Sequence, residues 1–141
     1  MARRATQRHD LRGVRPWDVS KARILIVEDE VLILGFLQRV VSLEGAEACT
    51  ASDGAAAIAH LADGLLFDLV FLDIGLPDIS GWDVLRHIRV RPLPHCDTPV
   101  VILSAQTSDN TRQLALAAGV PFLAKPVTAA DLRRAISDHL R

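Results

Sequence analysis

No stretch of this 141-residue chain comes near the roughly 20 consecutive apolar residues that a membrane-spanning helix needs. The amino terminus is basic but has no apolar h-region, which excludes a secretory signal. Aromatic residues are scarce at 4% while half the chain is hydrophobic, so the apolar content suits aliphatic strands and alanine-bearing helices. Cysteine is nearly absent. Cys49 and Cys96 lack metal-ligand or redox spacing and read as free thiols in a reducing cytoplasm. Repeats and linkers are missing too, and the length suits one domain with a real core.

A strong charge of one sign is also lacking, but the net charge of −1 hides an asymmetry. Residues 1–22 carry Arg3, Arg4, Arg8, Arg12, Arg15 and Lys21 against Asp10 and Asp18, a balance of +4 that leaves about −5 for the rest. An acidic domain with few exposed cations is a poor binder of nucleic acid, and no direct binding is expected. Residues 1–20 show no apolar periodicity and read as a flexible basic arm ahead of a domain spanning 21–141.

What is present is alternation. Ile24–Val27, Ala46–Ala51, Leu69–Leu72, Pro99–Leu103 and Pro121–Ala124 read as strands. Helices are expected between and after them. The first runs from Val31 to Glu44 and is closed by Gly45. The second is capped by Ser52 and reaches Ala62. The third is capped by Ser80 and runs from Gly81 to Val90, where Pro92 and Pro94 prevent continuation. The fourth covers Asp109–Ala118, and the last follows a Thr128/Asp131 capping box to Leu140. On the first helix, Leu32, Ile33, Phe36, Leu37, Val40, Val41 and Leu43 form one arc toward the sheet. Val31, Leu34 and Gly35 fall outside it and read as scattered surface hydrophobics, with a docking patch as the alternative. The five scattered histidines are expected in solvent. Five strands alternating with five helices give a doubly wound α/β domain with a parallel sheet.

Function in such a sheet sits outside the carboxyl ends of the strands. Those ends are Glu28 and Asp29, Asp73, Ser104 and Lys125, each following an apolar run. Three carboxylates brought close repel one another unless a cation sits among them, and hard oxygen ligands suit Mg²⁺ or Mn²⁺. An ammonium and a hydroxyl on the same rim suit phosphate oxygens. One carboxylate is then the nucleophile of an acyl phosphate, and Asp73, which ends a buried strand before a glycine loop, is the choice.

These fragments carry a resemblance. Over residues 23–141 the sequence resembles the receiver domain of bacterial two-component response regulators, in ILIVEDE, FLDIGLPDISGWDVL, PVVILSA and the pattern from Ala118 through FLAKP. The resemblance implies a flavodoxin-like (βα)5 three-layer sandwich with strand order 2-1-3-4-5. It implies that Asp73 accepts a phosphoryl group from a histidine kinase or histidine phosphotransfer protein. Glu28, Asp29, Asp73 and the Gly75 carbonyl would hold the metal, with Asp29 the closest ligand. Lys125 would pair with the phosphoryl group across a cis bond to Pro126. Ser104 and Phe122 match the switch hydroxyl and switch aromatic. Expected beyond this are slow self-dephosphorylation without turnover of a substrate, and a cytoplasmic location without membrane attachment. The signal would pass to an unnamed downstream protein or along a phosphate shuttle. A homodimer through the fourth and fifth helices is a further expectation. No output domain follows the last helix, so a stand-alone regulator is expected.

Small departures stand out. Glu28 replaces a frequent Asp, Phe122 replaces a frequent Tyr, and Gly75 and Gln106 occupy the variable positions that tune hydrolysis in the family. An aspartyl phosphatase is the enzyme rival, but it places a second Asp where Gly75 stands. A flavodoxin-like or dinucleotide-binding module needs a glycine- or hydroxyl-rich phosphate loop where Glu28-Asp29-Glu30 would repel phosphate. A receiver-like scaffold that no longer takes phosphate is the third rival.

Overall fold

The computed structural model describes residues 22–140, so the arm expected over 1–20 lies outside the described residues. Strands β1 (Arg23–Val27), β2 (Glu47–Ala51), β3 (Leu69–Asp73), β4 (Val100–Ser104) and β5 (Phe122–Ala124) alternate with helices. These are α1 (Val31–Leu43), α2 (Gly54–Ala62), α3 (Gly81–Ile88), α4 (Asp109–Ala118) and α5 (Ala129–Leu140). The strands pair in parallel in the order β2-β1-β3-β4-β5, as expected.

The layering follows from the pleat, which sends successive side chains of a strand to opposite faces. Ile24, Ile26, Phe71 and Leu103 pack with α1 and α5 on one face. Leu25, Val70, Leu72 and Ile102 pack with α2, α3 and α4 on the other. β3 and β4 are buried along their whole length, which is why they read as unbroken apolar runs. The chain leaves β1 for the β2 edge and returns to β3 on the other side of β1, so strand order reverses between β1 and β3.

Several local expectations are corrected. On α1 the inward stripe is Ile33, Leu34, Leu37, Val40 and Val41, whereas Leu32, Phe36 and Leu43 are 89%, 39% and 71% exposed. Apolar residues cover more than half of this helix's wheel, so composition could not centre the buried arc. The stripe that fits the narrow seam against α5 and the sheet did so. The cap of α2 is Asp53, whose side chain accepts from Ala56 N at 2.7 Å, because the helix begins at Gly54 and leaves Ser52 a residue short of the cap position. Helix α3 ends at Ile88, short of Val90. The described histidines are not free in solvent. His95 is buried and its Nδ1 donates to Ile88 O at 2.8 Å, with its ring stacked on His87. His60 and His139 bond the Thr50 and Ala135 carbonyls. Ser80 and the Thr128/Asp131 box cap as expected, and Gly119, in the left-handed region at φ 69°, ends α4.

Candidate functional site

The backbone ladder runs one residue past each strand, and that overshoot aligns the polar ends. Glu28 N donates to Ala51 O at 3.0 Å, Ile74 N to Leu103 O at 3.2 Å and Lys125 N to Ser104 O at 2.9 Å. Val27 pairs with Leu72, so Glu28 and Asp73 emerge side by side where strand order reverses.

One carboxylate oxygen from each of Glu28, Asp29 and Asp73 lies within 4.8 Å of the others. Lys125 Nζ sits 2.7 Å from Glu28 Oε1 and 3.2 Å from Asp73 Oδ2, with Glu30 at 4.0 Å. Glu28 is fully buried, and burial pushes its carboxyl above the usual range against the opposing pull of Lys125. Burial by itself would depress Lys125, but the Glu28 and Asp73 carboxylates outweigh it and hold the ammonium above its ordinary value. The lysine is therefore a fixed positive charge. Glu28 Oε2 accepts from Glu30 N at 3.0 Å, whereas Oε1 has the ion pair but no aligned hydrogen bond.

Three carboxylates against one ammonium leave an excess of negative charge at a largely buried rim. A buried carboxylate oxygen without an aligned donor and an all-oxygen ligand set fit a hard divalent cation. Asp73 Oδ1 accepts from Gly75 N at 3.2 Å. Gly81 lets the start of α3 approach this strand end: a Cβ there would lie 2.3 Å from Asp73 O. Gly75 differs, since nothing lies within 4 Å of a Cβ built on it. Its glycine is not required by the loop.

Glu28, Asp29, Asp73 and Lys125 thus come together. Ser104 ends the neighbouring strand, buried, with Oγ accepting from Gln106 N at 2.9 Å, which leaves its proton available to donate. Phe122 stands apart from the charged cluster, half-buried on the α4 side with the Arg112 guanidinium 5.3 Å from its ring centre. The Lys125–Pro126 peptide is cis, as is Arg91–Pro92. Sequence reasoning overlooked Glu30 as a neighbour of Lys125; its place in the acidic run after β1 was the available signal.

The family model described as "Response regulator receiver domain" matches residues 24–137. The transcriptional regulatory protein PrrA of Mycobacterium leprae is 36% identical over 124 residues, covering 87% of this chain and 52% of PrrA. The transcriptional regulatory protein KdpE of Mycobacterium tuberculosis is 38% identical over 104 residues, covering 73% of this chain and 44% of KdpE. The chain spans about half the length of these curated relatives. Among solved structures, a CheY-like receiver domain protein from Methanospirillum hungatei superposes with a TM-score of 0.75 at 29% identity, covering 85% of this chain and 94% of that one. The chemotaxis protein CheY4 of Vibrio cholerae gives 0.77 at 27% identity, covering 85% and 99%.

Proposed function

The chain belongs to the response regulator receiver family, and from that premise we propose that Asp73 is the residue that takes the phosphoryl group. Receiver domains are phosphoacceptor switches rather than turnover enzymes, and their partners are histidine kinases. The observation that carries the assignment is the placement of Asp73: its buried carboxylate lies 3.2 Å from the Lys125 ammonium and within 4.8 Å of carboxylate oxygens of Glu28 and Asp29.

Glu28, Asp29, Asp73 and the Gly75 carbonyl would hold Mg²⁺, or Mn²⁺ in its place. When bound, the cation neutralises charge on the transferring phosphoryl group. An Asp73 carboxylate oxygen attacks the phosphorus of the donor's phosphohistidine, an O–P bond forms, and the P–N bond breaks with its electron pair going to the imidazole. Lys125 exchanges a carboxylate contact for a phosphoryl oxygen, and the Ser104 hydroxyl donates to another. Ser104 moving toward the phosphate frees space for Phe122 to turn inward, away from Arg112. Phosphorylation thereby biases a two-state equilibrium.

A groove of about 320 Å³, lined by Leu32, Ile33, Phe36, Lys125, Pro126 and Val127, opens beside the charged rim. Its exposed Leu32 and Phe36 support docking of the phosphodonor, a histidine kinase or phosphotransfer protein, on α1. The signal leaves through the α4–β5–α5 face to a downstream protein or a second copy of the chain, a role supported by Leu116, which is 75% exposed. That exit serves a stand-alone regulator and a receiver joined to an output domain alike. PrrA and KdpE are transcriptional regulators by name. Slow self-dephosphorylation is part of the same reading, and the open space beside Gly75 in the Asp73 loop supports it. Among the described residues no helix is long and apolar enough to cross a membrane. Two free thiols and an intracellular donor suit the cytoplasm.

Intact mass after incubation with acetyl phosphate tests the assignment. One phosphoryl group gained by the wild type with Mg²⁺, and none by Asp73→Asn or with EDTA, is the expected result. No gain by the wild type from acetyl phosphate or from a histidine kinase overturns it in favour of a phosphate-blind scaffold.

A further inference from the structure

We infer that Asp78, an exposed residue that touches neither metal nor phosphoryl group, is a positioning residue for the site through its bidentate hold on the start of α2. The inference rests on the phosphoacceptor reading and deepens it. Residues 74–80 join β3 to α3 and carry Gly75, whose amide bonds Asp73 and whose carbonyl serves as a proposed ligand. A segment built on Gly75, Pro77 and Asp78 has no strand ladder to hold it in place.

Its ends are fixed by the fold. Gly81 N donates to Ile74 O at 2.8 Å, which closes the loop at its base, and the missing Cβ of Gly81 permits that closure. The far bend is held by Asp78, the loop's one charged side chain. Its Oδ1 accepts from Gly54 N at 2.9 Å and its Oδ2 from Ala55 N at 2.9 Å. Both amides belong to the first turn of α2, where no intrahelical acceptor exists. The next amide, Ala56 N, is taken by Asp53, so α2 divides its free donors between its own cap and a carboxylate from the phosphoacceptor loop.

Ile79 closes the same contact with apolar packing. A Cβ on Gly54 would sit 2.3 Å from Ile79 Cγ1, so the loop lies directly on the backbone of α2. Helix α2 is in turn fixed in the core through Ala57 and Leu61. The hydrogen bonds from Gly54 and Ala55 hold the Asp78 carboxyl below the usual range, in keeping with an ionised clasp. A solvent-facing aspartate at a bend ordinarily bonds its own neighbours. This one adds, to the amides of Asp78 and Ile79, backbone amides more than twenty residues away. The consequence is a braced Gly75 carbonyl, pre-set for the cation before it arrives.

The test compares Asp78→Ala and Asp78→Asn with Asp53→Ala, which also removes a cap from α2 but leaves the loop tethered. The readouts are thermal stability and the Mg²⁺ concentration that half-saturates phosphorylation by acetyl phosphate, followed by intact mass. Asp78→Ala is expected to raise that concentration about tenfold while reaching the wild-type rate at saturating Mg²⁺. Asp78→Asn, with one acceptor oxygen left, falls between and carries the test should the alanine variant not fold. Asp53→Ala lowers stability and leaves the Mg²⁺ requirement within about twofold of wild type. A Mg²⁺ requirement unchanged in both Asp78 variants, or raised equally by Asp53→Ala, overturns the positioning role. A wild type that takes no phosphoryl group overturns the phosphoacceptor reading itself.

Discussion

At the amino end of the sheet, Asp68 is buried but closes a local circuit: its carboxylate accepts from Arg23 N at 2.9 Å and its amide donates to Arg23 O at 2.8 Å. Beside it Arg23 pairs with Glu47 at 2.8 Å in the open. At the carboxyl end, three carboxylates crowd one ammonium and Glu28 Oε1 lacks an aligned donor. Both ends bury charge at strand termini of the same sheet. One compensates it from within, and the other leaves a surplus that a cation can meet. Buried carboxylates alone therefore do not mark a site. The uncompensated remainder does.

Removing the ammonium is the most severe way to break this contrast. Lys125→Met leaves Glu28 buried opposite Asp73, and is expected to destabilise the metal-free protein by about 3 kcal/mol in urea denaturation. The gain on adding Mg²⁺ should exceed that of wild type; an equal gain in both would falsify the surplus-charge account. Next comes Gly81→Ala, which forces Asp73 O away from the new methyl group and should lose about 2 kcal/mol. Gly75→Ala, in the same loop but with open space, should change stability by less than about 0.5 kcal/mol. A loss as large as that of Gly81→Ala would refute the distinction between the two glycines. At the amino end, Asp68→Ala strands the Arg23 amide and should cost about 1 kcal/mol, the same with Mg²⁺ or EDTA. A Mg²⁺-dependent loss there would dissolve the comparison.

The smallest effect is a pH dependence. Bonds from Thr128 hold the Asp131 carboxyl below the usual range. A depressed folded value means the stabilisation is complete above the ordinary carboxylate value and lost as pH falls through the folded one. The melting-temperature advantage of wild type over Asp131→Asn should therefore hold at neutral pH and shrink as pH falls below the ordinary carboxylate value. An advantage that grows in acid would reverse the sign.

The strands and the charged rim were legible because each buried strand is an apolar run ended abruptly by a polar residue. Glu28, Asp73 and Lys125 advertise themselves in that way. The face of α1 was not legible, since Leu32, Leu34 and Leu43 are chemically alike and only the seam against α5 selects among them. Ser52 and Asp53 are both competent caps by residue type, and in the fold it is the Asp53 carboxylate that meets the Ala56 amide. His95 and Asp78 carried no local signal. Their partners, Ile88 O and the amides of Gly54 and Ala55, are brought to them by the fold.

The vacancy of side-chain space above Gly75 has an engineering consequence. Because the backbone there has no positive φ and nothing stands within reach of a Cβ, position 75 accepts many residue types without rebuilding the loop. On the phosphoacceptor reading proposed above, a bulkier or charged residue at 75 would stand in the loop beside Asp73 and alter the access of water to its phosphoryl group.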